Sequence, residues 1–248
     1  MCRHLAYLGP PATLAELLLE PPHSLLRQTW APADMRGGGS VNADGFGVGW
    51  YDEAGTPMRY RRSCPMWADS NLADLARSTR SAAVLAAARN GTAGMPVIET
   101  ACAPFRDGRW LFSHNGRVAG WPDSVEKLAA RLPTVDLMTL DAPTDSALLW
   151  ALVRHRVRAG DTLGDAVAAV TAAVVAAAPG SRVNLLVTDG TAVAATTWAH
   201  SLSLRHDDGA VLVASEPCDP ADPRWHPVPD GHLVTATPSD VQVSPIDA

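Results

Sequence analysis

The chain has 248 residues, with 20 basic and 26 acidic side chains, a formal net charge of −6 and 47% hydrophobic residues. That balance argues against nucleic acid or an anionic membrane surface as the main partner, since both call for a basic face. The length suffices to bury a substantial core, and neither an internal repeat nor a linker divides it, so one domain over residues 1–248 is expected.

"CRHLAYLG" reads as a short strand ending at Gly9-Pro10-Pro11, followed by a helix over "TLAELLLE". Residues 33–45, "ADMRGGGSVNADG", form a glycine-rich loop. "FGVGWYDE" alternates like a strand, and "AGTPMRYRR" turns into a partner for it. Gly45, Gly47 and Gly49 do not spell a nucleotide-binding fingerprint; they suit a strand that passes close under another segment. "SNLADLARS" is a helix with Ser70 as its expected N-cap. "SAAVLAAAR" is taken as a strand, although alanine favours helix.

"RDGRWLFSHNG" has the Asp-Gly turn of a hairpin and a strand that stops at Asn115-Gly116. Two helices follow, one over "APTDSALLWALVRHRV" with Thr144 or Asp145 at its start, the other over "DTLGDAVAAVTAAVVAAA", stopping at Pro179-Gly180. The last third reads as short strands: "RVNLLVTDG", "TAVAATTW", "SLSLRH", "AVLVASEP" and "HLVTATPS". Strands early, helices in the middle and strands late predict an α+β fold with sheets packed against helices.

No secretory signal is legible at the N-terminus, and the most apolar run, Ala166 to Ala178, is shorter than the roughly 18 residues a membrane span needs. A cytoplasmic protein without membrane contact is expected. Cys2, Cys64, Cys102 and Cys218 form no C-x-x-C pair and no zinc pattern, so no metal site is expected, and the last three read as small apolar residues.

Cys2 is the position with chemistry. Were Met1 removed, thiol and α-amine would sit on one residue, and an α-amine with a pKa of roughly 7.7–8.0 can accept the thiol proton. A structural cysteine at a strand start is the simpler reading of Cys2 alone. "SHNG" offers an Asn side-chain amide and a Gly N–H as an oxyanion hole, and a hairpin turn fits those residues equally well. Arg89 suits a carboxylate and Asp145 an ammonium group, together a clamp for the zwitterionic end of an amino acid; an exposed Arg and a helix-capping Asp are the alternatives.

The order Cys2, "ARNGTAG", "SHNG", "PTDSALL" resembles class II glutamine amidotransferases, members of the N-terminal-nucleophile hydrolase superfamily. The resemblance implies a four-layer αββα sandwich and no organic cofactor or metal. It implies Cys2 as nucleophile, Asn115 and Gly116 as oxyanion hole, and Arg89, Thr92, His114 and Asp145 around a small-molecule γ-glutamyl substrate. The usual family version R-W-A-T-H-G is replaced by "RNGTAG", which implies altered walls for the glutamyl pocket. The first fifty residues are most similar to the stand-alone amidohydrolases of ergothioneine biosynthesis, which implies cleavage of the γ-glutamyl amide of a sulfoxide conjugate. A glutaminase subunit feeding ammonia to a separate synthase, or a peptidase for glutathione-like substrates, is the alternative.

Overall fold

The computed structural model describes residues 2–36, 41–207 and 209–247; Met1, whose removal is at issue, and the three glycines of the expected 33–45 loop lie outside them. The chain runs β1 (Arg3–Thr13), α1 (Leu14–Leu18), α2 (Leu25–Gln28), β2 (Phe46–Tyr51), β3 (Pro57–Arg62), α3 (Leu72–Ser78) and β4 (Arg80–Ala88). It continues through β5 (Phe105–Asp107), β6 (Trp110–Arg117), α4 (Glu126–Ala129), α5 (Thr134–Met138), α6 (Asp145–Arg158) and α7 (Leu163–Ala177). The remainder is β7 (Arg182–Thr188), β8 (Val193–Thr196), β9 (Ser203–Asp207), β10 (Ala210–Ala214), β11 (His226–Pro227), β12 (His232–Ala236) and β13 (Val241–Pro245).

Among the described residues the strands form two sheets, ordered β11-β9-β10-β1-β4-β2-β3 and β13-β12-β8-β7-β6-β5. The neighbours pair antiparallel. Three apolar clusters set the layers. Leu5, Phe46 and Val84 of the first sheet pack under Leu14, Leu25 and Leu72 of α1–α3. Ala6, Leu8 and Leu85 meet Leu111, Leu186 and Ala195 between the sheets. Phe112, Leu185 and Val187 of the second sheet pack against Trp150, Val167 and Val174 of α6 and α7. The stack is helices, sheet, sheet, helices, the expected αββα sandwich.

The local chemistry explains most elements. Thr13 closes a capping box with Glu16 at the start of α1, and Thr162 accepts from the Asp165 N–H at the start of α7. Buried Ala166, Val167, Val170, Thr171 and Val174 trace one helical stripe on α7. The alanine-rich β4 is a strand because it runs between β1 and β2, where both faces are covered and small alternating side chains fit. Its helical propensity is overridden by that tertiary setting.

Two boundaries depart from expectation. β1 does not end at Gly9 but continues to Thr13 across a register shift between Leu8 and Ala12. The prolines, which have no N–H to give a ladder, fall in that irregularity. Helix α3 starts at Leu72 with Asn71 as N-cap and no side-chain cap bond, so Ser70 does not cap it. The glycines of β2 behave as expected: a Cβ on Gly47 would stand 2.3 Å from the Ala103 carbonyl oxygen, and one on Gly49 would stand 2.7 Å from Leu111. The strand lies directly beneath those residues.

Candidate active site

The register of β1 against β4 ends with Arg3 opposite Ala88, so Cys2 and Arg89 come one step beyond the last pair, side by side at the sheet end. Side chains alternate along a strand. His4, Ala6 and Leu8 face the second sheet, and Cys2 shares their parity. Cys2 is half-buried, with its thiol 3.7 Å from the Asn90 carbonyl oxygen. A cavity of about 20 Å³ beside it is lined by Cys2, Arg89, Phe105, Ser113, His114 and Ser146. The other buried thiols are poor nucleophiles, because burial pushes Cys102 up to about 11 and Cys218 up to about 12.

Arg89 is buried, and its backbone is fastened to the loop before β2: its N–H donates to Gly45 O at 2.7 Å and its carbonyl accepts from Asp44 N at 3.0 Å. The Asp44 carboxylate in turn accepts from Gly91 N at 2.8 Å, which fixes the turn after Arg89. Thr92 is exposed and lines a separate opening of about 480 Å³ with Arg117, Gly120 and Trp121. The structure therefore brings Arg89 to Cys2 and leaves Thr92 in the neighbouring opening.

His114, Asn115 and Gly116 lie inside β6, paired with Leu185, Asn184 and Val183, rather than in a hairpin turn. Alternation sends His114 to the helix side and Asn115 to the space between the sheets. The His114 Nε2 faces the Arg182 carbonyl at 3.3 Å; a carbonyl only accepts, so Nε2 carries the hydrogen and Nδ1 accepts from the Ser146 hydroxyl at 3.0 Å. Burial holds His114 below the usual imidazole range, against the opposing charge of Asp145. Asn115 is fully buried and donates through Nδ2 to the Ser215 hydroxyl at 3.2 Å, which also accepts from the His4 N–H at 3.0 Å. One hydroxyl thus joins Asn115 to the strand that carries Cys2. Gly116 has φ +151°, and a Cβ there would stand 1.9 Å from the Arg182 carbonyl oxygen.

Asp145 opens α6, while the cap is Thr144, whose side chain accepts from Ala147 N. The Asp145 carboxylate is buried and accepts from Ser146 N at 2.7 Å and Val118 N at 3.0 Å. It therefore ties the chain just after the H-N-G run to the helix whose Ser146 holds His114. A carboxylate has about four lone-pair sites, so capacity for an ammonium group remains.

Sequence reading missed His4, Ser113, Ser146 and Ser215. His4 Nδ1 lies 3.3 Å from the Ser113 hydroxyl, and among the described residues its Nε2 and both nitrogens of the buried His200 have no partner. Burial, then nearby positive groups, pushes both His4 and His200 down to about 3. The period-2 parity of Cys2 and His4 was the one available signal. Among the described residues no group of three His, Cys, Asp or Glu side chains is placed to hold a metal ion, and no helix is long and apolar enough to cross a membrane.

Comparison with known proteins places this geometry in a lineage. The family described as "Glutamine amidotransferases class-II" matches residues 25–205. The chain is 41% identical over 246 residues to a γ-glutamyl-hercynylcysteine sulfoxide hydrolase of Mycolicibacterium smegmatis, covering 99% of this chain and 100% of that one. A glutamine aminotransferase class-II domain protein of Silicibacter pomeroyi superposes with TM-score 0.71 at 25% identity over the whole of both chains. The glutamine phosphoribosylpyrophosphate amidotransferase of B. subtilis shares the fold alone, with TM-score 0.67 at 14% identity over 99% of this chain and 49% of that one. A family match across most of the length, a relative alike from end to end, and the same two-sheet sandwich together make this chain a member of the class-II glutamine amidotransferases.

Proposed function

We propose that this chain hydrolyses the γ-glutamyl amide of γ-glutamyl-hercynylcysteine sulfoxide, releasing glutamate and hercynylcysteine sulfoxide in ergothioneine biosynthesis. The observation that carries the chemistry is the end of β1 and β4, where the Cys2 thiol and the buried Arg89 share one cavity with His114 and Ser146. Full-length similarity to the Mycolicibacterium hydrolase supports the substrate.

In this reading Met1 is removed and the neutral α-amine of Cys2 accepts the thiol proton. The thiolate attacks the γ-carbonyl carbon, and the carbonyl π electrons move onto oxygen. Asn115 has two amide hydrogens. One is engaged by Ser215; the other, with the Gly116 N–H, holds the oxyanion. Each such donor is worth roughly 3–4 kcal/mol of barrier. Collapse breaks the C–N bond, the ammonium of Cys2 protonates the leaving nitrogen, and a γ-glutamyl thioester remains. Water, deprotonated by the same amine, cleaves the thioester and frees glutamate. Arg89 holds the substrate's α-carboxylate and Asp145 its α-ammonium, with His114 beside them; Thr92, in the neighbouring opening, takes no part in this reading. No step calls on a metal or organic cofactor.

The test is intact-mass measurement of active protein, followed by rates on the sulfoxide conjugate, glutamine and glutathione. The expected result is loss of Met1 and turnover of the conjugate far above the other two. Activity with Met1 retained, or turnover surviving Cys2→Ala, would refute the mechanism. A preference for glutamine or glutathione would move the assignment to a glutaminase subunit or a γ-glutamyl peptidase.

A further inference from the structure

A nucleophile at a processed N-terminus has a weakness that follows from its position. Chain ends fray unless tied down, and Cys2 lies beyond the last β1–β4 pair, so the ladder does not hold it. Its carbonyl is the backbone group left to anchor. That carbonyl accepts a hydrogen bond from Arg3 Nη1 at 3.1 Å.

Arg3 is fully buried and stands on the opposite face of β1 from Cys2 and His4, toward the α1–α3 layer. Its Nη2 pairs with Glu216 Oε1 at 2.8 Å and also donates to the Asp34 carbonyl. Glu216 is buried too, and its carboxylate accepts from Ala33 N at 2.8 Å, Asp34 N at 3.1 Å and His23 Nε2 at 2.5 Å. The hydrogen bond from His23, the Arg3 charge and the two N–H groups hold Glu216 below the usual carboxylate range, against its burial. Four polar groups, His23 Nε2, the Ala33 and Asp34 N–H groups and the Asp34 carbonyl, thus converge on one ion pair whose Arg3 Nη1 donates to the nucleophile's own carbonyl. Isolated buried ion pairs are poor stabilisers, because desolvation offsets the attraction. Stability alone is a weak reason for this one.

We propose that Arg3, clamped by Glu216, is the positioning residue of the nucleophile. The guanidinium fixes the Cys2–Arg3 peptide plane, and with it the directions in which the Cys2 thiol and α-amine leave Cα, so that base and nucleophile address the same carbonyl. This rests on Cys2 acting as a processed N-terminal nucleophile.

The test uses the full-length protein with Met1 removal checked by intact mass. The probe is 6-diazo-5-oxo-L-norleucine, a glutamine analogue that alkylates a γ-glutamyl-binding thiol, followed as the mass adduct on Cys2. Arg3→Lys is expected to lower the limiting rate of labelling about 10–100-fold, with the half-saturating probe concentration within twofold, because Arg89 and Asp145 are untouched. The decisive variant is Arg3→Met with Glu216→Gln, which removes both charges and keeps one acceptor oxygen, placed for the Ala33 N–H and His23. It is expected to fold, with a melting temperature near wild type, and still to label at least 10-fold more slowly. Labelling of that double variant at the wild-type rate, or a change confined to probe binding, would overturn the positioning role. Failure of the unmutated protein to label at Cys2 would instead overturn the nucleophile assignment on which it rests.

Discussion

Acidification should destabilise this fold through two histidines that have nowhere to put a second proton. His4 and His200 are 1% and 2% exposed, and burial is the largest cause of their descent to about 3. Repulsion from neighbours adds to it: from Arg3, and from His114 and His200 once protonated, around His4, and from Arg182 and Arg3, and from His114 once protonated, around His200. In the unfolded chain an imidazole titrates near 6.5. Between that value and the folded one, the unfolded state binds protons that the folded state refuses, so stability is full above about 6.5 and falls as the pH drops. At pH 5 each histidine costs about 2 kcal/mol, a figure set by the unfolded pKa alone wherever the folded pKa lies well below 5. The pair together removes about 4 kcal/mol, a large part of the roughly 5–15 kcal/mol typical of a domain. Glu216, depressed below the ordinary carboxylate range, keeps its contribution throughout this window and loses it only at more acidic pH. Urea unfolding followed by tryptophan fluorescence at pH 7, 6 and 5 reads the effect directly, beside the variant carrying His4→Gln and His200→Gln. Unfolding free energy that stays level within about 1 kcal/mol from pH 7 to pH 5, or a double variant that falls as steeply as wild type, would refute the reasoning.

Asn115→Ala should lower kcat about 10²–10³-fold with little change in KM, since the oxyanion exists only after attack; steady-state kinetics on the sulfoxide conjugate measure it. Asp145→Ala should cut kcat/KM about 10–100-fold, mostly through KM, as a charged hydrogen bond to the substrate ammonium is lost. Gly116→Ala forces a Cβ to within 1.9 Å of the Arg182 carbonyl oxygen at φ +151°, so thermal unfolding should show a lower melting temperature together with lost activity.

Much of the fold was legible because its causes are local. Helix α7 with its stop before Pro179-Gly180, the start of α6 at Thr144 or Asp145 and the Asp-Gly turn between β5 and β6 each depend on residues within a turn or two of one another. At the end of β1 local signals misled, because the strand runs on through a bulge that holds prolines without an N–H. The candidate site residues came from an ordered set of short motifs, and three of them, Cys2, Arg89 and His114, gather at one cavity. The partners that hold them were not legible. His4 and Ser215 meet across 211 positions, and Arg3 finds Glu216 just past the end of β10, the strand beside β1. Propensity and periodicity act over a few residues, whereas such contacts exist only once β1 has inserted between β10 and β4. The sequence by itself determined the candidate reactive side chains and much of the pattern of elements. The tertiary structure alone decided which buried groups orient them, because strand order and register bring together residues that no local rule relates.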